Sequence, residues 1–492
     1  MNGLLIFPVV APLVAAALST IFHNSRITQR VLSIITVCGS LAVAILLLLK
    51  VNADGPQVTD LGGWPVPVGI ALVADLFSTL MLVISLITVL AVLVFSYGSK
   101  ANDDLWQFHP AFLVLTAGVS LSFLTGDLFN LFVAFEVTLV ASYVLLTLGS
   151  KASQIRNGVT YVIINMVASV FFLTAIAFVY AATGTVNFAD LSEKIALLPD
   201  AMSIALALCF LVVFGTKAAM FPVFSWLPDS YPVVRAPIVA VFAGLLTKVG
   251  VYSLIRVETV VFAGNGIGTV ILILAGLTMV IGVLGAIAQN DIKRILSFHI
   301  VSQIGYMMLG LGLFTVGGIA AAIMFMIHQI PVKTSLFLVG GMVEESAGTT
   351  ALDRIGGLRR KLPFAALLFG LAAASIAGLP PFSGFIGKLS IVEAGFASHE
   401  YLIIAVSLFV SVLTLFSMAK IWNGTFWGPT ETANEGDSLV LTGHKTMVSA
   451  TTFLVLITLA VAVFAGPIYE LCEKAATDLV DPTRYIKAVM GK

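Results

Sequence analysis

Phe210-Leu-Val-Val-Phe-Gly-Thr-Lys217-Ala-Ala-Met-Phe-Pro222 and Gly378-Leu-Pro-Pro-Phe-Ser-Gly-Phe-Ile-Gly-Lys388 decide the fold. Each stretch sets a lysine in a long apolar segment beside proline, which removes a backbone donor and clashes with the preceding helical turn. A lysine at membrane depth costs roughly 2.5–3.5 kcal/mol on insertion scales. In hydrocarbon, the backbone groups freed by a broken helix must be covered by protein or face a polar cavity. A chain that bears these costs once in each half is expected to move charge.

The surrounding sequence places both stretches in a membrane. Of 492 residues, 59% are hydrophobic and 10% charged, against about 25% charged in a soluble domain. Apolar runs of about 20 residues recur from end to end, each long enough for a ~30 Å hydrocarbon core. They are continuous rather than alternating, which argues against a β-barrel. The expectation is an all-α polytopic membrane protein of about fourteen transmembrane helices, centred near residues 12, 40, 83, 116, 139, 170, 213, 245, 277, 304, 329, 375, 412 and 456. No positive side chain precedes the first apolar run, so it reads as a retained helix and not as a signal peptide.

Two interrupted spans in corresponding places of the two halves point to a transporter built from inverted repeats. Lys217 and Lys388 lie five predicted spans apart, and an odd number of spans per repeat forces opposite orientations. Loops after odd-numbered spans carry about fourteen Lys/Arg, among them Arg26, Arg30, Lys100, Lys151, Lys293 and the Arg359-Arg360-Lys361 cluster. Loops after even-numbered spans carry about three: Lys50, Lys194 and Arg256. The positive-inside bias then puts the odd loops in the cytoplasm and both termini outside. Lys474, Arg484, Lys487 and Lys492 in the C-terminal tail run against this bias.

Six ionisable residues are expected at membrane depth: Glu136, Lys217, Lys248, His328, Lys333 and Lys388. Asp75, Asp127, Asp229, His299, Glu344 and Glu393 lie nearer to predicted span ends. Lys217 is a natural partner for Glu136. The pair reads either as a fixed ion pair that orders two helices or as one whose opening frees the lysine to give up its proton; loss of the carboxylate and desolvation act in the same direction. Lys248 reads as a relay or as a lysine snorkelling to the interface. His328 and Lys333 would point to different faces of a regular helix, and a kink or wide turn at Pro331 would bring them to one cavity. A histidine among lysines suits proton relay. The set reads as a wire parallel to the membrane, bridged by Ser, Thr and water. Lysines repel Na⁺, and Glu136 is the one clear carboxylate at depth, so the chain suits H⁺ better than Na⁺.

No cofactor is expected. Cys38, Cys209 and Cys472 have no CxxC spacing, which gives no support to disulfides, metal or iron–sulfur ligation. Gly384-Phe-Ile-Gly-Lys388-Leu-Ser resembles a phosphate loop only superficially: Phe382 holds the place of the first glycine and Leu389 follows the lysine.

These residues resemble the antiporter-like subunits shared by respiratory complex I and Mrp-type multisubunit Na⁺/H⁺ antiporters, over nearly the whole chain. The most specific part is Lys217-Ala-Ala-Met-Phe-Pro-Val-Phe-Ser-Trp-Leu-Pro-Asp229, followed by Ala236-Pro and Lys248; Asp291-Ile-Lys-Arg-Ile-Leu-Ser297 and Gly378-Leu-Pro-Pro-Phe-Ser-Gly-Phe385 with Lys388 add to it. Many complex I members have a histidine where this chain has Phe224, which cannot relay a proton. The resemblance implies fourteen helices with helices 7 and 12 broken: helices 1–3 in residues 1–105, one five-helix repeat in 106–258, its inverted copy in 259–425, and helix 14 with the tail in 426–492. It implies that Glu136 and Lys217 control proton uptake, Lys248 and His328 or Lys333 relay, and Lys388 serves the terminal site.

Within the family, chain length and Lys388 are most similar to the D-type Mrp antiporter subunits. That implies a secondary transporter rather than an enzyme, H⁺ and Na⁺ as the ions, Mrp subunits A, B, C, E, F and G as partners, a bacterial cytoplasmic membrane and no nucleic acid. Two alternatives stay open. One is a proton-pumping subunit of complex I or of a membrane-bound hydrogenase; the other is a scaffold with inert ion pairs.

Overall fold

The computed structural model describes residues 2–99, 105–149, 152–263, 266–427 and 444–491; Lys100, Lys151 and Lys492 lie outside them. The chain is an all-α membrane protein. Its helices are α1 Asn2–Ile21, α2 Arg26–Asp54, α3 Leu76–Gly98, α4 Phe108–Leu124, α5 Leu128–Thr147, α6 Ala152–Thr183, α7 Phe188–Ile195, α8 Asp200–Ala218 and α9 Trp226–Ser230. Then come α10 Ala236–Val261, α11 Gly268–Ala288, α12 Ile292–Gly312, α13 Val316–Ala347, α14 Pro363–Ala377, α15 Ser383–Ala397, α16 Tyr401–Trp427, α17 His444–Val463, α18 Ala465–Val480 and α19 Thr483–Met490. Among the described residues twelve helices are long and apolar enough to cross a membrane, and α4 and α14 are shorter apolar helices. Every expected span centre falls inside a helix. One small addition escaped the sequence reading: β1 Gln57–Asp60 pairs antiparallel with β2 Ala71–Ala74, Gln57 opposite Ala74.

Both expected breaks are present, and several of the backbone groups at each find partners. Helix α8 stops at Ala219, whose left-handed backbone (φ 62°) turns its N–H onto the Gly215 and Thr216 carbonyls. The Phe221 N–H donates to Thr278 Oγ1 on α11 at 3.1 Å, and Trp226 Nε1 donates to the Thr216 carbonyl at 3.1 Å. Helix α14 stops at Gly378 (φ 85°), and α15 begins at Ser383. A Cβ on Gly378 would lie 2.8 Å from Lys388 Cδ, so this glycine serves both the turn and the lysine's path. The Ala377 carbonyl freed here accepts from Lys388 Nζ at 3.0 Å and Ser411 Oγ at 3.1 Å. The second lysine thus satisfies the break it sits beside.

The two helices carrying Lys248, His328 and Lys333 are the most enclosed: α10 has no exposed residue, and α13 is covered from Gly318 to Val343. Helices α2, α6, α11 and α16 instead show apolar faces outward, as lipid-facing helices do. Helix α13 stays helical through Pro331, so the expected wide turn is not there. Wide, five-residue-period turns occur elsewhere, at Phe242–Leu246, Val257–Val261 and Asn423–Trp427.

Two loop assignments are corrected. Arg256 and Lys293 read as loop charges, but each is at most 3% exposed. Arg256 pairs with Asp75, and Lys293 pairs with Glu344 at 2.5 Å while donating to the Val234 carbonyl at 3.0 Å. Buried charges are found paired, because unpaired ones cost several kcal/mol.

Candidate proton pathway

Glu136 lies on α5, Lys217 on the last turn of α8, and α6 runs between them. Among the described residues no direct ion pair joins the two. Ser169 of α6 joins them instead: its hydroxyl donates to Glu136 Oε1 and accepts from Lys217 Nζ at 3.0 Å. Lys217 Nζ also donates to the Asn165 carbonyl at 3.2 Å and sits 5.8 Å from the centre of the Phe135 ring. The pair expected from sequence thus takes the form of a three-member chain, carboxylate–hydroxyl–ammonium. A serine in an apolar helix carries no sequence mark of this role.

Helix α10 touches the break after Lys217 directly. A Cβ on Gly250 would lie 2.7 Å from the Ala218 nitrogen, so only glycine permits this approach. Lys248 stands two residues earlier, 1% exposed, and its Nζ donates to the Ala243 carbonyl at 2.6 Å. It is held inside and does not snorkel. Its acceptor lies on the wide turn Phe242–Leu246, where the ordinary helical hydrogen-bond ladder is interrupted. That turn abuts α13: a Cβ on Gly244 would fall 2.4 Å from Thr334 Oγ1.

Lys333 neighbours Thr334. It is fully buried, and its Nζ has no hydrogen-bond partner among the described residues. The charges of Lys248 and Lys388 are within interaction range of it. His328, five residues earlier, shares a hydrogen bond through Nδ1 with Ser383 Oγ at 2.8 Å, and Ser383 meets Ser375 Oγ at 3.2 Å. His328 therefore reaches the second break directly. Its Nε2 is buried without a partner, as are His299 Nδ1, Gln303 Nε2 and Gln329 Oε1 on α12 and α13. Lys388 completes the series, donating to Ser411 Oγ at 2.8 Å and lying 5.3 Å from the Tyr306 ring centre.

The residues nearer to span ends divide. Asp75 and Asp127 cap the N-termini of α3 and α5. Asp229 pairs with Arg294 at 3.0 Å in an exposed bridge, and Glu393 is exposed. His299 shares Nε2 with Ser417 Oγ at 2.9 Å and belongs with the interior group. Phe224, where many complex I members have histidine, packs near Phe221 and Phe298. Sequence reasoning also missed a fully buried carboxyl that has no partner among the described residues. Glu258 is fully buried near the end of α10 with neither oxygen hydrogen-bonded. Its position two residues after Arg256 gave it the look of a loop; the apolar run continuing through Phe262 was the signal available.

Comparison with known proteins places the chain in a family. Residues 125–414 match the family described as NADH:quinone oxidoreductase/Mrp antiporter, TM. The chain is 43% identical to the Na⁺/H⁺ antiporter D subunit of Alkalihalophilus pseudofirmus and 36% identical to that of Bacillus subtilis, each over the full length of both chains. Among solved structures, a chain of the Mrp complex from Dietzia sp. superposes with a TM-score of 0.92 at 32% identity, covering 100% of this chain and 99% of that one. A chain of the membrane-bound sulfane sulfur reductase, an archaeal respiratory complex, shares the fold with a TM-score of 0.90 at 24% identity over 99% of this chain and 100% of that one. The chain belongs to the NADH:quinone oxidoreductase/Mrp antiporter transmembrane family, alongside the D subunits of Na⁺/H⁺ antiporters.

Proposed function

We propose that this transporter subunit carries protons through a multisubunit Na⁺/H⁺ antiporter, along Glu136, Ser169, Lys217, Lys248, Lys333, His328 and Lys388. The observation that carries the reading is the succession of these groups across the bundle, from the half-buried Glu136 through a series of buried side chains. Glu136, Ser169 and Lys217 are joined by hydrogen bonds, the helices of Lys217 and Lys248 meet at Gly250, and Lys333 and His328 lie within range of the neighbouring lysine charges. The full-length likeness to sodium antiporter subunits favours this over a redox-pump context. The partners are then Mrp subunits A, B, C, E, F and G, in the cytoplasmic membrane of a bacterium. Na⁺ crosses elsewhere in the complex, because a row of lysines repels it.

The finer architecture follows the same reading. Helices α4 and α14 complete fourteen spans, α8 with α9 and α14 with α15 being the broken helices 7 and 12. Residues 106–258 and 259–425 form the inverted repeats, flanked by 1–105 and 426–492. Both termini lie outside. In support, α19 packs on α7 and β1, which belong to connections after even-numbered spans, so the basic tail shares their side.

The proton moves from Lys217 to Ser169 Oγ as the serine's own proton passes to Glu136. This leaves a neutral amine, a reversed hydroxyl and a carboxylic acid. Opening this chain lets Lys217 pass its proton towards Lys248 instead. The test is Na⁺-dependent collapse of ΔpH in inverted vesicles containing the whole complex. Glu136→Ala is expected to abolish it at normal assembly; antiport at the wild-type rate would refute the reading. Ser169→Ala should slow antiport about tenfold or more, the scale of a lost proton-transfer group. Ser169→Thr, which keeps the hydroxyl, should restore most of it. Equal rates for alanine and threonine at position 169 would remove serine from the path.

A further inference from the structure

Glu258 has no place in the series above, yet it is a fully buried carboxyl without a hydrogen bond at either oxygen. It sits on the wide turn Val257–Val261 that ends α10, a distortion that recurs at functional sites. This turn packs against α7, α18 and the preceding part of α10. The charges on those elements are engaged elsewhere or exposed. Asp190 pairs with Lys194 at 2.9 Å, Arg256 with Asp75, and Asp478 with Arg484 at 3.6 Å. Lys248 donates to the Ala243 carbonyl, while Glu193, Glu470, Glu473 and Lys474 are exposed. The titratable Tyr252 donates to the Phe123 carbonyl; Tyr469 is half-buried and Cys472 buried, both on α18.

An ionised carboxylate taken out of water needs donors or a cation. Among the described residues Glu258 has neither, and no cluster of carboxylates is there to help hold Na⁺, which takes several oxygens at once. A proton is the one cation that a single carboxyl binds alone. Lys248 lies ten residues earlier on the same helix, about 15 Å along its axis at 1.5 Å per residue. The end of α10 is also the end where Asp75 and the short helix α7 lie, below the cover made by α18 and α19.

The geometry points to Glu258 as a proton-binding site, a stop between Lys248 and the membrane face capped by α18 and α19. It deepens the proton-translocation reading by giving the in-plane series a branch towards one surface. Binding and release move one proton onto and off the carboxyl, with no other bond made or broken.

The test treats the assembled wild-type complex in membranes with N,N′-dicyclohexylcarbodiimide, an apolar reagent that modifies carboxyls in their acid form, and maps adducts by mass spectrometry. An adduct at Glu258 that declines as pH rises is expected, together with antiport lowered at least about tenfold in Glu258→Gln and partly kept in Glu258→Asp. No adduct at Glu258 at any pH where the complex transports would overturn the proposal. So would an adduct combined with wild-type antiport in Glu258→Gln. Either result leaves the reading of Glu136 and Lys217 intact, because their variants are assayed separately.

Discussion

Lys217→Arg should leave the complex assembled and silent. The guanidinium keeps the positive charge and can still donate to Ser169 and to the Asn165 carbonyl, the two acceptors that Lys217 uses at 3.0 and 3.2 Å. It does not give up its proton at any physiological pH, whereas a desolvated lysine readily does. A fixed ion pair that only orders α5, α6 and α8 would be satisfied by arginine. A proton carrier would not. Lys217→Ala removes both roles, and its antiport should fall to the level of vesicles lacking the complex. Na⁺-dependent ΔpH, scored beside native-gel assembly, separates the two. Wild-type exchange in Lys217→Arg would mean that Lys217 is structural, and would sink the mechanism at its first step.

The chemistry at Lys217 and Lys388 was legible because proline and glycine leave strong local marks. Pro222, and Gly378 with Pro380-Pro381, foretell helix ends whatever packs around them, and a lysine in an apolar run declares its cost. What stayed hidden depends on packing between elements far apart in sequence. Pro331 looked like the site of a kink or wide turn, and α13 runs through it without the wide turn. The wide turn that matters lies at Phe242–Leu246, where α10 must pass Thr334 with only Gly244 between them. Ser169 is one of many serines in apolar helices, and only the arrival of Glu136 and Lys217 from two other helices singles it out. Arg256, Lys293 and Glu258 sit near span ends, where hydropathy changes over a few residues. Burial there is set by distant elements: α7 and α18 pack on the turn after Arg256, and Lys293 is held by Glu344 and the Val234 carbonyl. The charge count that oriented the chain was wrong about Arg256 and Lys293 individually. Its conclusion rests on many loops, so two reassigned residues barely move it.

Asp75→Ala is expected to be among the most destabilising substitutions in the chain. Asp75 accepts from Arg256 Nη2 at 2.8 Å and, through its other oxygen, from Nη1. It also caps α3, accepting from the Ser78 N–H at 2.8 Å while Ser78 Oγ accepts from the Asp75 N–H at 2.9 Å. The guanidinium donates to Tyr252 Oη at 2.9 Å and is ringed by Phe77, Tyr252 and Tyr485, each centroid 5.4–5.5 Å away. The pair thereby binds the start of α3, the end of α10 and the C-terminal helix α19 into one unit. Removing one partner strands a buried charge, at about 3–5 kcal/mol, and the lost cap adds about 1 kcal/mol. Removing both charges costs less, because neither is left unpaired. Asp75→Asn with Arg256→Met keeps a capping side chain and fills the cage with an apolar one, so it should regain most of the loss. Thermal unfolding of the detergent-purified complex measures this: Asp75→Ala far below wild type, the double variant well above Asp75→Ala. An unchanged midpoint in Asp75→Ala would mean that water reaches Arg256. The turn bearing Glu258, two residues further on, would then be open as well, so this measurement also bears on whether that carboxyl is shut away from the surface.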